Sequence, residues 1–225
     1  MNYELRITKP ARFAKGNGTA KLILFFCLIF PAIIGCNKKI LLQNGDLVFA
    51  AIEMQVETNN FSNAINSVTQ TGNETNYTHI GIVGIDDNVI WVIHASPRKG
   101  VFRDSLETFL KEEKHIFVYR LKPGYRHFIT QALNKSLDYY GQTYDNSFLL
   151  NDSSQYCSGL IYHLFESTGI FHLNPMTFKD ISGDFHPFWV EHYKKLNIEI
   201  PEGVPGCNPN EMATSPAIFF VGKLK

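Results

Sequence analysis

The chain has 225 residues, 44% hydrophobic and 19% charged, which is enough for one globular domain with a substantial core. A formal net charge of +0 lacks the basic footprint that binding to nucleic acid requires, so no nucleic-acid partner is expected. Aromatic residues make up 13% of the chain, which suits either an aromatic core or a groove for an extended ligand.

The N-terminus reads apart from the rest. Arg6, Lys9, Arg12, Lys15 and Lys21 form a basic region, followed by the apolar stretch Leu22 to Ile34. That stretch has the length of a signal-peptide core and is short for a membrane span. It ends in Ile33-Ile34-Gly35-Cys36, which resembles a bacterial lipobox, with cleavage before Cys36 and lipidation of its thiol. The resemblance implies a lipoprotein signal peptide over residues 1–35, a tether over 36–44 and a domain over 45–225. The product would be an exported bacterial lipoprotein, periplasmic or in the cell envelope, held to a membrane by its acyl chains. An uncleaved signal anchor is the alternative. Beyond Cys36 only Cys157 and Cys207 remain, too few for a disulfide scaffold. A bridge between those two is conceivable.

In chain order, Gly45-Asp46-Leu47-Val48-Phe49-Ala50 reads as a turn and a buried strand. The polar stretch 55–76 holds either a short helix around Phe61–Val68 or a loop. A hairpin follows, with strands His79–Ile85 and Val89–Ala95 joined by Asp86-Asp87-Asn88. Asp104-Ser105-Leu106-Glu107 looks like a capping box that opens a helix to Glu112. His115–Leu121 is a strand stopped by Lys122-Pro123-Gly124, and Tyr125–Tyr140 is a helix with one apolar face, ended by Gly141. Ser153 or Ser154 caps a helix that runs to Thr168, with Gly169 as its stop. Residues 170–225 are rich in Pro and Asn, contain Phe185-His186-Pro187-Phe188-Trp189-Val190, and end in a strand over Ala217–Val221.

Three residues stand out chemically. Cys157 falls at a helix start, where unpaired N–H groups and the positive end of the dipole favour a thiolate and can bind an oxyanion. A free cysteine is also ordinary core packing, so the histidines decide the reading. His79 opens a strand, two residues before Gly81, which lets another element approach, as a strand beneath a catalytic helix requires. His94 sits in the apolar run Trp91-Val92-Ile93-His94-Ala95 and needs a partner; His79 on the adjacent strand can supply it and fix the tautomer of the base. His163 and Glu166 share the Cys157 helix but lie two turns away and read as solvated. No short-spaced ligand pair suggests a metal site, and neither a phosphate-binding glycine loop nor a G-x-S-x-G elbow is present. No metal or other cofactor is expected.

Four blocks carry a family resemblance: Gly45-Asp46-Leu47-Val48-Phe49, Thr78-His79-Ile80-Gly81-Ile82-Val83, Val92-Ile93-His94-Ala95 and Tyr156-Cys157-Ser158-Gly159-Leu160. They resemble the signature blocks of the NlpC-like papain-fold amidases. The cysteine follows both histidines, an order similar to the permuted, YiiX-type branch, with lecithin–retinol acyltransferases as more distant relatives. The resemblance spans about residues 44–170. It implies an α+β, circularly permuted papain-like fold, with an antiparallel sheet packed against the helix that bears the cysteine. It assigns Cys157 as nucleophile, His79 as base, His94 as the third polar position and Asp46 as structural. Tyr77 and Tyr156 are the candidates for an oxyanion hydroxyl. The expected activity is thiol-dependent hydrolysis of amide bonds, foremost in cell-wall-type peptides. The alternatives are a lipid ester hydrolase or acyltransferase using the same site, and a non-catalytic binding module. Residues 170–225 have no counterpart in the resemblance.

Overall fold

The computed structural model of the chain describes residues 40–51, 61–69 and 75–225. The signal peptide expected over residues 1–35, Cys36 and the first part of the expected tether lie outside the described residues. Strand β1 (Leu47–Ala51) is buried along its whole length, as a central strand covered on both faces should be. Leu47 and Phe49 face one apolar layer, and Val48 and Ala50 face another. Helix α1 (Phe61–Thr69) follows, so this part of the polar stretch 55–76 is helical.

The hairpin is present, formed by β2 (Tyr77–Asp86) and β3 (Val89–Ser96). Its turn residues Asp87 and Asn88 have φ of 46° and 64°, the left-handed pair that matches the twist of a tight hairpin and that Asp and Asn tolerate. Next come β4 (Gly100–Ser105), which the sequence reading did not anticipate, α2 (Leu106–Glu112) and β5 (Ile116–Leu121). The N-cap of α2 is Ser105, whose hydroxyl accepts from the Thr108 N–H at 3.2 Å; Asp104 is left in the strand.

The expected helix over Tyr125–Tyr140 is broken into three pieces. α3 (Ile129–Ser136) is the α-helical part, flanked by 3-10 turns over Pro123–Phe128 and Leu137–Tyr139. Pro123 starts the tighter turn, and Leu137, whose spacing from Ala132, Leu133 and Tyr140 would put it on the apolar face, is exposed. After the short parallel pair β6 (Thr143–Tyr144) and β7 (Ser154–Gln155) comes α4 (Cys157–Phe165). A 3-10 turn extends α4 through Thr168, and Gly169 at φ 69° supplies the left-handed stop.

The tail contributes β8 (Asn174–Pro175), α5 (Pro187–Leu196), β9 (Pro205–Gly206), α6 (Pro209–Ala213) and β10 (Ile218–Lys223). The main sheet is antiparallel throughout, in the order β10-β5-β1-β2-β3-β4. α4 packs on β2 and β3, with α3 beside it. Residues 170–225 are therefore part of the domain. β10 forms one edge of the sheet, and Phe178, Trp189 and Tyr193 pack with Ala64 of α1 in a third apolar cluster. Among the described residues no helix is long and apolar enough to cross a membrane.

Candidate active site

The structure brings His79, His94 and Cys157 together. His79 lies next to an irregularity in β2: Ala50 pairs with His79 and Ala51 with Tyr77, so Thr78 is an extra residue. A bulge of this kind re-aims the side chains around it. His94 reaches across from β3, and His79 Nε2 and His94 Nδ1 are 2.7 Å apart. Gly81 allows this approach, because a Cβ there would stand 3.2 Å from His94 Cβ and 2.7 Å from Val92 Cγ1. The close neighbour of Gly81 is thus β3, in place of the helix that the sequence suggested.

Phe109 of α2 covers both imidazoles, stacked against His79 and edge-on to His94. His79 and His94 are buried. Burial pulls the His79 pKa down, but hydrogen bonding to Cys157, the charge of Cys157 and that of Glu113 together outweigh it and leave the ring above its ordinary value. His94 is held well below its ordinary value by burial, then by His79 and Lys99. It is neutral near pH 7, which suits a residue that orients a base. With its Nε2 engaged by His94, His79 has Nδ1 left for the thiol.

Cys157 is the first residue of α4. The N-cap is Tyr156, extended and with no side-chain cap. The capping expected from Ser153 or Ser154 does not occur. Ser154 sits in β7, and both serines bond instead to Asn151 Oδ1. Among the described residues the first N–H groups of the helix are therefore left without a side-chain acceptor, the arrangement that serves an anion.

The two tyrosine candidates part company. The Tyr77 hydroxyl pairs with Tyr119 at 3.0 Å within an aromatic cluster, and burial and that pairing raise its pKa. Tyr156 lines the same cavity as Cys157, but its hydroxyl lies 3.5 Å from Cys207 Sγ. Burial, then Cys207, raise its pKa. Tyr144, which sequence reasoning passed over, also lines this cavity; burial and the nearby charge of Cys157 push its pKa well up. No periodic signal marks Tyr144, because it sits in a two-residue strand.

The cavity has about 700 Å³ of open space including its mouth. Its walls combine α1 (Ile65, Val68), the loop residue Phe148 and the tail residues Met176, Phe178 and Trp189. Among the described residues of the lining Glu211 is the one charged side chain, and there is no Lys, Arg or His. Cys157 and Cys207 are both free thiols; burial pushes Cys207 up to about 12.

Two other expectations are settled by geometry. Asp46 is fully buried and accepts from Arg120 Nε at 2.6 Å and Nη2 at 2.8 Å, as a structural residue would. His163 is buried, stacked near Tyr139, contrary to the solvated reading; burial lowers its pKa.

The sequence profile of the permuted papain-like amidase enzymes, the YaeF/YiiX or C92 family, matches residues 41–222. No curated protein matches the chain. Among solved structures, the crystal structure of the metalloprotein YiiX (DUF1105) from Escherichia coli O157:H7 is similar. It superposes with a TM-score of 0.65 at 21% identity, over 80% of this chain and 97% of that one. That structure is described as a metalloprotein; among the described residues of this chain no three His, Cys, Asp or Glu side chains are placed to hold one ion. His79 and His94 turn their facing nitrogens on each other. With the profile spanning most of its length and the fold shared, the chain belongs to the permuted papain-like amidases of the YaeF/YiiX family and is a hydrolase.

Proposed function

We propose that the chain cleaves amide bonds through an acyl-enzyme on Cys157. The observation that carries this reading is the 2.7 Å His79–His94 contact beside a thiol at an uncapped helix start. His79 takes the thiol proton, and the sulfur attacks the carbonyl carbon, forming a C–S bond and an oxyanion. The helix-start N–H groups bind that oxyanion, and Tyr144 or Tyr156 from the same cavity wall supplies a further donor. The intermediate collapses, the C–N bond breaks, and His79 returns its proton to the departing amine. His79 next deprotonates water, which attacks the thioester. The C–S bond breaks, the acid leaves, and the sulfur recovers a proton from His79.

For the substrate, the cavity supports an apolar group next to the scissile bond. Cell-wall peptides, the first expectation from sequence, carry carboxylates, and the described lining offers no cation to pair with one. A lipid-derived amide or ester therefore fits better than a cell-wall peptide. Lipidation of Cys36 belongs to the same proposal, because an export signal and an acyl anchor would hold the domain where lipid substrates are found.

The test compares octanoyl-p-nitroanilide, p-nitrophenyl octanoate and purified muropeptides as substrates, each with wild type, Cys157→Ala and His79→Ala. Hydrolysis of the octanoyl compounds that is lost in both variants supports the reading. Activity that survives Cys157→Ala removes the site, and cleavage of muropeptides alone removes the lipid assignment. Palmitate labelling that persists in Cys36→Ser would refute the anchor.

A further inference from the structure

We propose that Asp104 is a positioning residue of the thiol site, which keeps the proton of His94 on Nε2 so that a lone pair of His79 Nδ1 faces Cys157. The proposal rests on the Cys157–His79–His94 reading given above. Asp104 lies near the end of β4 with its side chain 10% exposed. Its Oδ2 is 3.5 Å from His94 Nε2. That nitrogen is buried and makes no hydrogen bond among the described residues. A buried imidazole nitrogen left bare is costly, and a small rotation toward the carboxylate closes the gap to a charge-assisted bond.

The other groups around the pair are few. Lys99, from the turn between β3 and β4, stands 3.3 Å from Asp104 Oδ1 and 3.6 Å from Glu112 Oε1. Phe102 and Phe109 pack on the His94 ring. His79 is faced by His94 from β3, by Cys157 from α4 and by Glu113 just after α2.

The neutral pair shares one proton between His79 Nε2 and His94 Nδ1, and two arrangements are possible. In one, His94 carries its proton on Nε2 and accepts from His79 Nε2–H through Nδ1. His79 Nδ1 is then a lone pair aimed at the thiol. In the other, His94 donates from Nδ1 to His79 Nε2. The proton of His79 then sits on Nδ1, toward sulfur, and the ring has no base left for the thiol. A carboxylate only accepts, so Asp104 selects the first arrangement. Proton transfer from Cys157 to His79 then needs no other proton to move, because the imidazolium still donates from Nε2 to His94.

The experiment has two arms. Nitrogen-15 NMR of the histidine-labelled protein near pH 8 reads the His94 tautomer directly. A proton on Nε2 is the expected result, and a proton on Nδ1 overturns the proposal, even where no variant folds. The second arm measures the rate of Cys157 alkylation by iodoacetamide and hydrolysis of octanoyl-p-nitroanilide. Asp104→Ala should slow alkylation and lower kcat by at least about tenfold with KM within about twofold. Lys99→Met, which loses the ion pair but keeps the carboxylate, should remain within about threefold of wild type on the same reasoning. Equal losses in both variants, or a folded Asp104→Ala at wild-type rate, overturn the proposal. If Cys157→Ala is inactive while Asp104→Ala is unaffected, the thiol site stands and only the role of Asp104 falls; activity in Cys157→Ala removes the site itself.

Discussion

Gly81→Ala places one methyl group at the point where β2, β3 and the histidine pair meet. The new Cβ would lie 2.7 Å from Val92 Cγ1, 3.1 Å from the Ile93 carbonyl oxygen and 3.2 Å from His94 Cβ. Ordinary contact begins at 3.4 Å, so Val92 must retreat the furthest. Val92 is fully buried and its β-branched side chain is stiff at χ1, so the strain passes to β3 itself. Overpacking of this kind costs about 1–3 kcal/mol, and about 2 kcal/mol is roughly a thirtyfold change in the folding equilibrium. The same shift carries His94 away from His79, stretching a contact of 2.7 Å, so thiol reactivity should fall more than stability alone predicts. Urea denaturation and iodoacetamide alkylation measure the two effects separately. Val92→Ala alone should cost about 2 kcal/mol through its cavity, but combined with Gly81→Ala it makes room for the new methyl. The double variant should therefore be more stable than the sum of the single losses by at least about 1 kcal/mol. Additive losses, or a Gly81→Ala protein with wild-type stability and reactivity, would refute the packing argument.

Other outcomes follow from the charged and buried groups. His94 stays neutral in the fold because burial, His79 and Lys99 depress its pKa. Below about pH 6.5 the unfolded imidazole takes a proton that the folded one refuses, so the unfolded chain binds more protons and acidification favours unfolding. Between pH 7 and 5 wild type should lose more stability than His94→Gln, and equal slopes in denaturant titrations would contradict this. Arg120→Met strands the buried Asp46 carboxylate and should cost about 3–5 kcal/mol; a loss below about 1 kcal/mol in urea melts would show that the pair is dispensable. With its thiol pushed up to about 12 by burial, Cys207 should escape iodoacetamide at pH 8 in the folded protein while Cys157 is modified. Peptide mass mapping decides, and preferential labelling of Cys207 would overturn the assignment of the reactive thiol.

The parts legible in sequence were those with strong local patterns. β-Branched runs and an Asp-Asn turn revealed the hairpin, and the histidines came with it. The Cys157 helix was legible from the apolar residues Leu160, Ile161, Leu164 and Phe165, but not its start: Ser153 and Ser154 offer a capping pattern, whereas both bond to Asn151 and Tyr156 is the N-cap. Asp104 was hidden by its neighbour: the capping pattern that includes Ser105 was read one residue too early, so the aspartate was assigned to a helix end. β4 was missed because Gly100-Val101-Phe102-Arg103-Asp104-Ser105 is short and half polar, and its pairing with β3 decides its state. The long helix expected over Tyr125–Tyr140 failed because an apolar face cannot reveal which of its members the sheet will cover; Leu137 remains exposed. The cavity wall contributed by the tail was illegible for a different reason. Trp189 and Phe178 meet Ala64 only through contacts distant in sequence, such as the Trp189 Nε1 hydrogen bond to the Ala64 carbonyl.

The left-handed turn at Asp87 and Asn88 has a bearing on how the site is assembled in time. It closes a hairpin in which the bonded histidines are only 15 positions apart, so the pair needs little loop closure and can form from local contacts. Cys157 reaches it only when α4 has docked across β2 and β3, a step of much longer sequence separation. A chain emerging from the ribosome thus presents the histidine hairpin well before it presents the cysteine. The thiol meets its base at a late stage of folding, and a partly folded chain carries the cysteine without the neighbour that would activate it.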